Sequence, residues 1–183
     1  MNKSEIKNIS PKKQAWKNKA IFLDRDWTIN QDFWYVYKLS DLKILDWVKK
    51  WLKELKKLWY KLIIITNQSW IWRWYYTLED CNKFNVELEK QIWIKFDAIY
   101  VCPHISEDNC ECRKPKTLSV EKAIKNFNLD VHQCFFVWDK ESDIQTGINA
   151  GCRTVLMNYS PYECNLTPDY LVNNLYELAK VIK

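Results

Sequence analysis

Five short apolar runs alternate with amphipathic stretches, and this alternation constrains the chain more than any other feature. The runs 20–24, 62–66, 97–102, 134–138 and 154–157 have the length and residue types of strands, with a short sixth near 170–172. Between them, 46–58, 78–92, 117–127, 142–150 and 174–182 carry apolar residues at helical spacing. Strand and helix in turn argue for an α/β, Rossmann-like three-layer sandwich around a central, mostly parallel sheet. At 183 residues the chain is one ordinary domain, and it contains no internal repeat or interdomain linker. Ligands of such sheets sit outside the carboxyl ends of the strands. Asp24, Thr66, Cys102 and Asp139 all fall at or just past such ends.

Charge narrows the function classes. The formal net charge is +5, but residues 1–19 hold six lysines against one Glu, leaving 22 basic and 22 acidic residues elsewhere. Residues 1–18 are therefore expected to be a disordered, Lys-rich tail, and 19–183 the folded domain. A neutral body gives no basis for a nucleic-acid groove. No apolar segment approaches membrane-spanning length, and the N-terminus lacks the apolar core of a signal peptide. The expectation is a cytoplasmic monomer with a small-molecule substrate, no nucleic-acid partner and no membrane partner.

Asp24 and Asp26 stand at i and i+2 where the first strand ends. Such a pair suits phosphoryl transfer: one carboxylate attacks phosphorus while the other handles the proton of the leaving oxygen. Thr66, followed by Asn67, Gln68 and Ser69, ends the second strand; its hydroxyl either donates to a phosphoryl oxygen or caps a turn. Arg113-Lys114-Pro115-Lys116 offers a fixed cation for the transferring group, or else a solvated loop. Asp139 is placed to help hold Mg²⁺, a hard ion that bridges carboxylate and phosphate. Asp143 either orients Lys114, supports the metal, or simply complements a helix dipole.

The irregular stretch 103–116 is too long for a plain connector. Cys102, His104, Cys110 and Cys112 give it a C-x-H-x5-C-x-C pattern that suits a closed tetrahedral structural Zn²⁺ site. Disulfides or buried thiols are the other readings; an odd total of seven cysteines and a reducing compartment disfavour disulfides. Cys81, Cys134, Cys152 and Cys164 lack such spacing and are assigned to packing. His132 is assigned to the surface.

Two glycines and eleven tryptophans are abnormal counts, because average usage of about 7% would give roughly 13 glycines. Trp59 and Trp93 stand between a helix and a strand, where helices commonly end on a left-handed glycine. Trp27, Trp34, Trp70, Trp72, Trp74 and Trp138 also occupy places that suit a residue without a side chain. One reading is that UGA, which some bacteria decode as glycine, has been translated as tryptophan. The other is a protein truly rich in tryptophan.

Asp24-Arg25-Asp26-Trp27-Thr28 resembles the Asp-x-Asp-Gly-Thr motif of the haloacid-dehalogenase-like phosphatases, with tryptophan in place of glycine. Together with 32–36, 66–76, 102–116 and 139–151, it makes the chain similar to the D-glycero-D-manno-heptose 1,7-bisphosphate 7-phosphatases, relatives of the histidinol-phosphate phosphatases. The resemblance runs from about Lys19 to Leu156. It implies Asp24 as the nucleophile that forms an aspartyl-phosphate, and Asp26 as acid and then base. It implies Thr66 and Lys114 as stabilisers of the phosphoryl group and Arg113 as a substrate contact. Asp32, Phe33, Trp34 and Tyr35, with Thr66, Asn67, Gln68 and Ser69, would touch the sugar bisphosphate. Mg²⁺ would be held by Asp24, the backbone carbonyl of Asp26 and Asp139, with Lys140 lining the site. Three rival functions are a histidinol-phosphate phosphatase, a nucleic-acid 3′-phosphatase and a non-catalytic zinc-stabilised binding protein.

Overall fold

A computed structural model describes residues 16–33, 36–138, 140–158, 164–173 and 175–182. Trp34, Tyr35, Asp139 and nearly all of the expected tail lie outside the described residues. Six strands form one sheet: β1 (Lys19–Leu23), β2 (Tyr60–Asn67), β3 (Ala98–Cys102), β4 (Phe135–Trp138), β5 (Arg153–Met157) and β6 (Tyr170–Val172). Their order is β3-β2-β1-β4-β5-β6, and every pairing between these strands is parallel. The helices are α1 (Val48–Lys57), α2 (Leu78–Ile92), α3 (Leu118–Phe127), α4 (Glu141–Ala150) and α5 (Leu175–Val181). Each expected strand and helix is present, with ends shifted by at most two residues.

Alternate residues of the inner strands feed two separate cores. Ile21, Leu23, Leu62, Ile64, Phe135 and Val137 pack with α1, α2 and α5. Ala20, Phe22, Ile63, Ile65 and Phe136 pack with α3 and α4 on the opposite face. Burial on both faces is why these strands read as unbroken apolar runs rather than as an alternation. Strand order reverses between β1 and β4, the place where open parallel sheets form their binding crevice. Asp24 directly follows β1 at that point.

Gly147 lets α4 lie close to the sheet. A Cβ there would come 2.7 Å from Thr154 Cγ2 and 3.1 Å from Phe136 Cβ, so only a bare backbone fits without movement. The first turn of the same helix carries Asp143.

Among the described residues, positive φ is adopted by Trp27, Trp59, Trp74, Trp93, Asn109, Asn128 and Gly151. Trp70, Trp72 and Trp138 are not in this set, so the glycine preference inferred for them has no backbone counterpart. Trp138 is extended in β4.

Candidate active site

The carboxyl ends of β1 and β2, the loop 103–116 and the start of α4 converge on a cavity of about 230 Å³ lined by Asp24, Asp26, Asn67, Arg113, Lys114 and Asp143, among others. A wider open hollow of about 560 Å³ lies along Phe33–Lys43, but it holds none of the strand-end residues. The strand-end residues gather at the smaller cavity.

Lys114 is its hub. The residue is 4% exposed, and its Nζ lies 2.6 Å from Asp143 Oδ1 and 3.2 Å from Asp24 Oδ2. It also donates to the Ile65 carbonyl at 2.9 Å. Burial opposes the charge on Lys114, but Asp143 and then Asp24 outweigh it and hold the ammonium above its usual range. Burial, helped by the Asp24 charge, pushes Asp143 up to about 6 against the pull of Lys114. Two buried carboxylates thus share one ammonium. Asp143 contacts Lys114 directly from the first turn of α4, as the first of its three readings expects.

Asn67 sets the backbone beneath that hub. Its Oδ1 accepts from the Lys114 amide at 3.1 Å and its Nδ2 donates to the Lys114 carbonyl at 3.3 Å. The preceding residue, Arg113, donates from its guanidinium to the His104 carbonyl at 2.9 Å.

Asp26 is held by a cage. Arg25 Nε and Nη2 reach its two oxygens at 2.9 and 3.0 Å, Asn30 donates to Oδ1 at 3.0 Å, and Gln68 donates to Oδ2 at 2.8 Å. Burial would raise its carboxyl, but Arg25 and the other donors outweigh that and hold it below the usual range. Thr66 is buried at the end of β2, where its hydroxyl accepts from Gln68 at 2.9 Å. Ser69 and Lys140 line the cavity. Asp32 receives the Val36 amide at 2.9 Å, and Phe33 is exposed. Arg25, Asn30 and Tyr76 were not singled out from the sequence. Arg25 lies inside the first motif, and its signal was a cation between two carboxylates just past the end of β1.

Cys102, His104, Cys110 and Cys112 are brought together, with their ligand atoms all within 4.8 Å of one another. Cys112 Sγ lies 3.3 Å from both Cys102 Sγ and His104 Nδ1, and the remaining sulfur pairs are 3.7 Å apart. Ligands at about 2.3 Å around one tetrahedral ion are separated by roughly 3.8 Å, so the cluster has the size of a zinc cage. Cys81, Cys134 and Cys152 are buried in the core, and His132 is exposed.

A carboxylate at the switch point, a second two residues on, and a buried lysine bridging the first to Asp143 fit a haloacid-dehalogenase-like phosphatase, a phosphoric monoester hydrolase. A HAD-hydrolase-like family profile matches residues 111–178. The chain is 42% identical over 144 residues to the D-glycero-beta-D-manno-heptose-1,7-bisphosphate 7-phosphatase of Helicobacter pylori, covering 76% of this chain and 83% of that one. It is 37% identical to the enzyme of the same name from Haemophilus influenzae over 179 residues, covering 91% and 97%. In fold it matches the crystal structure of D,D-heptose 1,7-bisphosphate phosphatase from B. bronchiseptica complexed with magnesium and phosphate, at a TM-score of 0.81 and 23% identity, covering 90% and 97%. The chain belongs to the D-glycero-D-manno-heptose 1,7-bisphosphate 7-phosphatase family. No described helix is long and apolar enough to cross a membrane.

Proposed function

We propose that this phosphatase removes the 7-phosphate of D-glycero-D-manno-heptose 1,7-bisphosphate through an aspartyl-phosphate on Asp24, acting in the cytoplasm as a monomer. The observation that carries the reading is the Asp24–Lys114 contact at 3.2 Å, at the reversal of strand order and beside Asp26. Asp24 attacks phosphorus, and Lys114, Thr66 and backbone amides face the transferring oxygens. Asp26, ionised in its cage, gains a proton as the negative charge of the phosphate enters; it protonates the departing sugar oxygen and then takes a proton from the water that releases phosphate. Arg113 and the segment Asp32–Tyr35 meet the rest of the sugar bisphosphate.

A donor set of carboxylate and carbonyl oxygens fits a hard divalent cation. Asp24, the Asp26 carbonyl and Asp139 would hold Mg²⁺, with Lys140 lining the site. When bound, it would neutralise charge on the phosphoryl oxygens. Zn²⁺ would occupy the Cys102/His104/Cys110/Cys112 cage, where four protein ligands leave no open position for catalysis.

Phosphate release should be measured on the heptose bisphosphate and on histidinol phosphate, with Asp24→Asn as control. The reading expects kcat/KM to favour the heptose, and no turnover by the variant. Preference for histidinol phosphate overturns the substrate; an active Asp24→Asn overturns the mechanism.

A further inference from the structure

Gln68 has no side-chain hydrogen-bonding capacity left for a substrate. A glutamine amide has two donor hydrogens and two acceptor lone pairs. Here Nε2 donates to Asp26 Oδ2 at 2.8 Å and to Thr66 Oγ1 at 2.9 Å. Oε1 accepts from Arg25 Nη2 at 3.0 Å and from the Tyr76 hydroxyl. The residue is 4% exposed.

The guanidinium of Arg25 is engaged just as fully. Besides Asp26 and Gln68 it reaches the Val36 carbonyl at 3.3 Å, Asn85 Oδ1 at 3.4 Å and Cys81 Sγ at 3.6 Å, over the Phe84 ring. Cys81, Phe84 and Asn85 belong to α2, so the cage ties Asp26 to a rigid element. The geometry points to Arg25, Gln68 and Tyr76 as positioning residues that fix the Asp26 carboxyl at the wall of the cavity for its proton transfer. Gln68 thus does its work through the acid rather than by a side-chain bond to substrate.

This rests on the reading of Asp26 as proton donor, and leaving-group dependence tests it. The quantity kcat/KM reports steps through loss of the alcohol. An activated aryl phosphate needs no proton donor there, whereas a sugar phosphate does. Gln68→Leu and Tyr76→Phe should each lower kcat/KM on the sugar phosphate by about tenfold or more. On the aryl phosphate Tyr76→Phe should stay within about twofold of the parent, whereas Gln68→Leu, which also removes the donor to Thr66, should lose less there than on the sugar phosphate. Equal loss on both substrates by Tyr76→Phe, or no loss on the sugar phosphate, overturns the inference. Tyr76→Phe removes one oxygen and keeps the ring, so it carries the test if Gln68→Leu fails to fold. Asp24→Asn must abolish both activities; if it does not, the proposed function fails rather than the positioning.

A second inference stands on separate observations. Left-handed backbone is uncommon outside glycine, and asparagine is the usual exception. Of the seven described residues at positive φ, one is glycine, two are asparagine and four are tryptophan. Helices α2, α3 and α4 close in one way. Ile94 N donates to Glu89 O, Leu129 N to Ile124 O and Cys152 N to Gly147 O, each spanning five residues. The left-handed residue of the three turns is Trp93, Asn128 and Gly151 respectively. The indoles of Trp59, Trp74 and Trp93 are 87%, 93% and 83% exposed, so packing does not explain their choice. We infer that Trp27, Trp59, Trp74 and Trp93 mark glycine positions, encoded by UGA and inserted as glycine in the organism that makes the protein. Codons and peptide masses of the natural protein decide this. UGA codons and glycine masses at the four positions are expected; UGG codons or tryptophan masses overturn it. In recombinant protein, Trp59→Gly and Trp93→Gly should raise the unfolding midpoint more than the matching alanines do. Alanine equal to or better than glycine at both positions overturns the backbone argument.

Discussion

Lys114 Nζ and Asp143 Oδ1 lie 2.6 Å apart, with both side chains at most 2% exposed. One residue comes from the loop that follows the Cys/His cluster, the other from the first turn of α4, so the pair joins two independent parts of the site. Removing one member of a buried pair strands the other charge, at about 3–5 kcal/mol. Lys114→Met should therefore lose stability on that scale, and kcat by about 100-fold or more through loss of phosphoryl stabilisation. Adding Asp143→Asn to it should recover more than about 1 kcal/mol, because one orphaned charge is gone. Denaturant unfolding of the two variants measures both effects.

Gly147→Ala sets two effects against each other. Alanine favours a helix by about 1 kcal/mol over glycine, but the added Cβ meets Thr154 Cγ2 at 2.7 Å and Phe136 Cβ at 3.1 Å. Overpacking at about 1–3 kcal/mol wins. A lower unfolding midpoint is expected, with reduced kcat as α4 carries Asp143 away from Lys114. A raised midpoint would refute the close approach.

Metal removal should separate two sites. EDTA followed by Mg²⁺ should restore turnover, since Mg²⁺ exchanges readily from a site that keeps waters. Elemental analysis should find about one zinc per chain with four protein ligands. Stripping that zinc should speed amide exchange across 102–116 and abolish activity that Mg²⁺ alone does not restore. Zinc-free protein with reduced cysteines and full activity would rule the cage out.

Asp97 predicts a pH effect on stability. Its carboxylate meets Lys56 at 2.6 Å, Lys61 at 2.9 Å and the Leu62 amide at 2.9 Å. Burial would raise it, but Lys56, the Leu62 amide and Lys61 outweigh this and hold it below the ordinary value. A carboxylate lowered in the folded state contributes above its unfolded pKa, near 3.9, and loses that contribution as pH falls through the folded value. Asp97→Asn should thus cost roughly 1–2 kcal/mol near pH 7. The gap from the parent should close below about pH 3.9. A constant gap across pH would exclude the carboxylate charge as its source.

The sequence by itself determined the layer order, the placement of Asp24 and Asp26 past the first strand, the Cys/His spacing, and the two helix ends at Trp59 and Trp93. All of these are local properties: periodicity, residue type and short spacing along the chain, which the backbone converts directly into strands, helices and loop ends. The tertiary structure decided what the side chains do. Asn67 reads as a substrate contact, and only the fold shows that its amide also clasps the backbone of Lys114, 47 residues away. Gln68 looks the same until Asp26, 42 residues away, takes its donor. Asp143 read equally as a dipole partner until the fold placed Lys114 against it. Trp27 and Trp74 showed left-handed backbone only in the folded loops. Polar groups are satisfied by whichever partners the fold brings within about 3 Å, and no local pattern carries that choice.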